Sequence, residues 1–294
     1  CPLSSLGAIM KSLFSLFVLL VAADASTPRV PVHYPAYVDN LPSMVGKTVA
    51  IIGCSRGLGF VTARTCAAKG ARVMMLNRES PRAREALAEV AAVATGLPPE
   101  HVVCDLLDLS SVRTAAEIIR GSETLDVICL NGGTTQRLLF DFEERHLASV
   151  CDGVGRRRAR LRRDTPHRAG IMFAADLPSQ DGFDQTMATN LLSHFLLTSL
   201  LMPLLETTAA ARGEARVVSM SSGSGFYGAP FDAKYYEPGS GGNLGGEEGA
   251  GDRYHQSKLG QFLFTAEFDK RLHARGSRVK SISVHARRLR DGHV

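Results

Sequence analysis

The sequence predicts an α/β fold: a doubly wound parallel sheet with helices on both faces, in three α/β/α layers. Two observations carry this. From Gly46 onward, short β-branched apolar runs alternate with stretches of helical periodicity, the pattern of strand–helix–strand units whose sheet is buried on both faces. The first run, Val49-Ala50-Ile51-Ile52, enters a turn holding Gly53, Gly57 and Gly59, and a small-residue helix pattern follows. At 294 residues and 45% hydrophobic, the chain can bury one good-sized core, so one domain plus extensions is expected.

Residues 1–25 read as a signal or targeting segment. Met10-Lys11 supplies a positive start, Leu13 to Ala23 an apolar run, and Ala23-Asp24-Ala25 a small-x-small cleavage pattern. The run is shorter than the roughly 20 residues a bilayer span needs. Residues 26–45, with Pro28, Pro31, Pro35 and Pro42, read as a linker, and 46–294 as the folded domain. The first strand is Thr48–Ile52, and its helix runs from about Leu58 to Lys69, ending at Gly70. Strand two is Arg72–Leu76, followed by a helix over Pro81–Ala94. Strand three is Val102–Leu106, then come a helix over Ser111–Arg120 and strand four, Asp126–Leu130. A helix near Gly182–Leu201 and a strand over Val279–Val284 complete the pattern, and the glycine-rich residues 238–252 are expected to form a flexible surface loop.

A strand–turn–helix of this kind presents backbone N–H groups and the positive end of a helix to a phosphate. The spacing is G-x-x-x-G-x-G, and Gly53, Ser55, Arg56, Gly57, Leu58 and Gly59 are the expected cofactor-binding turn of a Rossmann-like sheet. Strand two ends at Asn77-Arg78, where such a fold meets the adenosine ribose. An acidic residue there accepts from a 2′-hydroxyl, whereas Arg78, with Arg56 close by, suits a 2′-phosphate. NADP(H) is therefore preferred, with NAD(H) the alternative. Asp105, Leu106 and Asn131 end the next strands and border the same crevice.

The formal charge of +5 is not a basic face. Seven arginines crowd into residues 156–168, and without them the chain would be mildly acidic, so no nucleic-acid partner is expected. The six cysteines form no C-x-x-C, and Cys54, Cys104 and Cys129 fall in or beside strands, as buried thiols do. The scattered histidines form no H-x-x-x-H pair, so no metal is expected.

Taken together, these motifs resemble the short-chain dehydrogenase/reductase family over residues 46 to about 286, most closely its retinol-dehydrogenase-like branch. The resemblance rests on the glycine turn, Asp105, Asn131, and Asn190 in Thr189-Asn190-Leu191-Leu192. It also rests on Ser222, ending Val217-Val218-Ser219-Met220-Ser221-Ser222, and on Tyr254-His255-Gln256-Ser257-Lys258. It implies that Ser222, Tyr254, Lys258 and Asn190 are catalytic. It further implies that Tyr254 and Lys258 also touch the cofactor, that Asp105 meets the adenine, and that Asn190 joins a water-linked proton path. The expected activity is NADP(H)-dependent interconversion of an alcohol and a carbonyl. The chemistry agrees: an ammonium four residues from a phenol on one helical face stabilises the phenolate and lowers its pKa, while a serine hydroxyl positions the substrate oxygen. The alternatives are a C=C reductase, or a non-catalytic nucleotide-binding relic of the same fold.

Two stretches depart from the family pattern. Deleting residues 132–168 would join Leu130-Asn131 to Ala169-Gly170-Ile171-Met172, restoring the family's N-A-G. The leading reading of the stretch is translated non-coding sequence, and the second is a lineage-specific loop. After His285 the family continues with Pro-Gly and a substrate loop, whereas here Ala286-Arg287-Arg288 runs on to Val294. The expected partner is a small alcohol or carbonyl. Membrane association through the N-terminal segment and homodimer formation are further expectations. The apolar start indicates the secretory pathway, endoplasmic reticulum or an organelle, while the unpaired cysteines favour a reducing compartment.

Overall fold

In the computed structural model, the described residues are 38–132, 174–226 and 228–285. The proposed targeting segment, most of the linker, nearly all of 132–168 and the C-terminal 286–294 lie outside them. Residues 42–288 form one compact unit.

Six parallel strands make one sheet in the order β3-β2-β1-β4-β5-β6. They are β1 (Thr48–Ile52), β2 (Arg72–Asn77), β3 (Glu100–Val103), β4 (Val127–Leu130), β5 (Ala215–Ser221) and β6 (Val279–His285). The order reverses between β1 and β4, and in open sheets ligands bind at the carboxyl ends of the strands at that reversal. Alternate side chains of β1 feed two cores. Ala50 and Ile52 join the cluster under α3 (Leu109–Arg120) and α4 (Ser193–Arg212), while Val49 and Ile51 join the one under α1 (Gly57–Ala68) and α2 (Pro81–Ala91). The two-sided burial follows from the unbroken apolar strand.

Several boundaries differ from the sequence expectation. Strand three starts two residues earlier, at Glu100, and stops before Cys104, because Glu100 and His101 pair with Met74 and Met75 at a sheet edge where polar side chains reach water. The helix after β2 ends at Ala91, and Thr95 N–H bonds instead to the Ala67 carbonyl. The helix expected near Gly182–Leu201 is an α-turn at Gln185–Met187, a π-helical stretch at Ala188–Leu192, and then α4 with Pro203 inside it. This long helical run is apolar enough to cross a membrane by composition, but Leu197, Leu201, Leu205 and Ala209 are buried against α3. The glycine-rich stretch expected to be flexible is instead hydrogen-bonded. Asp176 accepts from the N–H groups of Gly242 (2.8 Å), Leu244 (2.6 Å) and Gly246 (3.0 Å). The helix α5 (Ala250–Ala274) begins within it.

Candidate active site

The turn after β1 is held from below by strand two. Gly53 N–H donates to the Leu76 carbonyl (3.0 Å), and Cys54 N–H donates to Asn77 Oδ1 (2.9 Å). Gly53 has φ +70°, and a Cβ there would stand 2.9 Å from Gly132 Cα. A Cβ on Gly59 would lie 2.5 Å from both Asn131 Nδ2 and the Gly53 carbonyl. Only glycine fits these positions. Asn131 follows β4 and donates to the Gly53 carbonyl (3.1 Å), which fastens the turn to the central strand. Arg56 occupies the N-cap of α1 and provides no side-chain cap, so the first-turn N–H groups of that helix are left for another acceptor. Ser55 and Leu58 are half-buried beside it.

Arg56 is joined by a cation that sequence reasoning missed. Burial and then the nearby Arg82 charge hold the Arg56 guanidinium below its ordinary value. Arg78 is exposed just after β2. Asp105 follows β3. Its N–H donates to Ser111 Oγ (2.9 Å), and its Oδ1 accepts from Leu107 N–H (3.0 Å). The Leu106 carbonyl accepts from Ser193 Oγ (2.6 Å), which ties this strand end to α4.

At the other end of the crevice, Ser222, Tyr254, Lys258 and Asn190 come together, all of them buried. Ser222 follows β5. Ser222 and Ser224 lie beside the Tyr254 phenol, where their side chains favour the phenolate, and the Ser224 hydroxyl donates to Ser222 Oγ (3.2 Å). Ser224 is a second hydroxyl beside the phenol that the motif did not announce. Lys258 Nζ lies 5.7 Å from the Tyr254 ring centroid and donates to the Met220 carbonyl (3.1 Å) and to Gln261 Oε1 (2.9 Å). Asn190 sits in the π-helical stretch and donates to Ser257 Oγ (2.9 Å), and Ser257 in turn donates to the Tyr254 carbonyl (2.8 Å). A π-turn places an extra residue in the helix, a device common at functional sites.

The electrostatics correct one expectation. The phenol is not pulled below its usual range. Burial pushes Tyr254 up, and the Ser222 and Ser224 hydrogen bonds only partly oppose it. Burial likewise pushes Lys258 down to about 7, so near neutrality the lysine carries only part of its charge. No carboxylate accounts for either shift. The cysteines behave as buried thiols: burial raises Cys54, Cys104 and Cys129 to about 12 and Cys66 to about 11. Among the described residues no group of histidine, cysteine and carboxylate side chains could hold a metal.

The sheet order and the glycine turn after β1 are those of a doubly wound, Rossmann-like α/β domain. The chain matches the short chain dehydrogenase family over residues 47–151 and 167–236, and it belongs to that family. The match breaks off inside the stretch 132–168. Among curated relatives, short chain dehydrogenase/reductase dpchH of Colletotrichum higginsianum is 29% identical over 85% of this chain and 56% of that protein. Retinol dehydrogenase 11 of Mus musculus is 30% identical over 82% of this chain and 60% of that protein. The chain thus spans about three fifths of the length of these relatives. A solved Mycobacterium paratuberculosis protein superposes with a TM-score of 0.59 at 29% identity, covering 84% of this chain and 70% of that one. Pseudomonas aeruginosa RhlG, solved as an NADP active-site complex, shares the fold at 19% identity and a TM-score of 0.55, covering 84% and 74%.

Proposed function

We propose that this domain interconverts an alcohol and a carbonyl with NADP(H), using Tyr254 as the proton donor and acceptor. The observation that carries the reading is a buried lysine, free of any carboxylate among the described residues, one helical turn from a buried phenol that two serine hydroxyls flank. Such a lysine is an electrostatic device rather than half of an ion pair. The cofactor's residues fit: Gly53 and Gly59 leave the turn no room for side chains, and α1 offers uncapped N–H groups. The group, when bound, supplies or accepts the hydride. Arg56, Arg78 and Arg82 favour a 2′-phosphate, and Asp105 borders the adenine end.

Tyr254 gives its phenolic proton to the carbonyl oxygen, or takes one from the alcohol. Ser222 positions that oxygen, and Ser224 supports Ser222. Lys258 stabilises the phenolate by its charge, and Asn190 braces the same helix through Ser257. The relatives named as retinol dehydrogenases make an apolar aldehyde the first substrate to try. The apolar run Leu13–Ala23 would tether the enzyme to a membrane.

The test is NADPH oxidation on a panel of retinaldehyde-like and short aldehydes, by the chain with and without residues 132–168. Turnover abolished in Tyr254→Phe supports the reading, whereas turnover retained there overturns it. Arg78→Asp is expected to shift binding from NADPH towards NADH, and an unchanged preference would remove Arg78 from the cofactor assignment.

A further inference from the structure

Lys258 is completely buried, and an ammonium there needs acceptors for its N–H groups. Two are in reach. The Met220 carbonyl at 3.1 Å belongs to β5 and is fixed by the sheet. The other is a side chain: Gln261 Oε1 at 2.9 Å, three residues on along α5, with Gln261 itself only 2% exposed. An ammonium has protons and no acceptor, so the Gln261 atom that faces it must be the oxygen. The amide nitrogen then faces away, and it lies 3.3 Å from Nδ1 of the buried His194 on α4. That ring is held at about 3 by burial first, then by the Lys258 charge, against a backbone hydrogen bond at Asn190, so it is neutral. The amide thus sits between a cation on one side and an uncharged ring on the other.

The titratable groups that face Lys258 are the Tyr254 phenol on its own helix and the His194 ring from α4. From β5 it receives the Met220 carbonyl, and none of the described residues of β6 or the segment before α4 brings it a carboxylate. Gln261 is therefore the one side-chain acceptor of this cation among the described residues.

We propose that Gln261 is a positioning residue of the active site: its amide oxygen keeps the Lys258 ammonium charged and aimed beside the Tyr254 phenol. This rests on the catalytic reading above for its use in turnover, but the interaction itself can be measured without turnover. A neutral acceptor suits the task. A carboxylate would cancel the charge that the phenolate needs, and an apolar side chain would leave the ammonium with the Met220 carbonyl alone.

The experiment is a pH titration of lysine side-chain carbons by NMR in the selectively labelled full chain, the Lys258 signal being assigned by its loss in Lys258→Met. In Gln261→Leu the Lys258 midpoint is expected to fall by about one pH unit, because a hydrogen bond that favours the charged form is gone. In Gln261→Glu, which keeps shape and adds charge, it should rise by at least as much. If Gln261→Leu does not fold, the glutamate variant decides alone. A midpoint that stays at the wild-type value in the folded variants overturns the proposal. In the kinetic arm, Gln261→Leu should lose about tenfold in kcat, with KM within about twofold, and the pH profile should move with the NMR midpoint. If the midpoint responds to Gln261 while Tyr254→Phe retains full turnover, the positioning inference stands and the catalytic reading falls.

Discussion

Arg253 and Lys258 are two cations on the first turns of α5, both fully buried, and their surroundings are opposite. Arg253 faces two carboxylates and three backbone carbonyls. Its Nε lies 3.4 Å from Asp184 Oδ2, and its Nη1 lies 3.7 Å from Asp176. Nη1 also donates to the Leu244 (2.9 Å) and Gly246 (2.7 Å) carbonyls, and Nη2 donates to Ala174 (2.7 Å). Lys258 meets two neutral acceptors and no carboxylate, and burial drags it down to about 7. The helix therefore spends one buried charge on structure and leaves the other under-compensated, where it can respond to chemistry next to it. A neutralised charge holds segments together, and an exposed-in-energy charge tunes its neighbour.

The contrast can be broken most forcefully at Arg253. Arg253→Met strands two buried carboxylates and should cost about 3–5 kcal/mol of stability, read from denaturant unfolding. A loss near zero would show that the ion cluster is not structural. Lys258→Met should do the reverse: turnover falls by about a hundredfold or more while stability at neutral pH holds or rises, since a desolvated charge is removed.

The third prediction is the pH dependence of that stability. The Lys258 pKa is lower folded, about 7, than the ordinary 10.5, so between those values the unfolded chain binds the extra proton. Its burden is full below about pH 7 and is relieved as pH rises towards 10.5. Stability of the wild type minus that of Lys258→Met should thus climb over this window, and the subtraction cancels the raised cysteines, which titrate in both. A flat difference curve would contradict the assigned burial. The smallest effect is expected at Ser224→Ala, with about two- to tenfold lost in kcat against a larger loss for Ser222→Ala; equal losses would make the two hydroxyls partners of equal rank.

What the sequence showed depended on how far apart the cooperating residues lie. β1 and its turn were legible to the residue because an apolar run and three glycines are contiguous. Ser222, Tyr254, Lys258 and Asn190 were legible because their motifs are local, and the structure does bring them together. The other buried contacts of α5 are made by distant pairs. Arg253 meets Ala174, 79 residues away, and Gln261 meets His194, 67 away, so neither helical periodicity nor any short motif could announce them. The upward shift of Tyr254 was missed for a related reason: residue spacing reveals a neighbouring charge, but the depth of burial that outweighs it belongs to the folded molecule. The polar edge strand at Glu100 was placed too late because the apolar Val102 and Val103 drew the boundary towards themselves.

Ala174 has one more consequence. Its carbonyl is grasped by Arg253, and two residues on Asp176 fastens the loop at Gly242–Gly246, while on the other side Gly132 is packed against Gly53. The described residues on both sides, Gly132 and Ala174, are thus secured by the domain's own interior, and joining two fixed ends costs an entropy that grows only with the logarithm of the length between them.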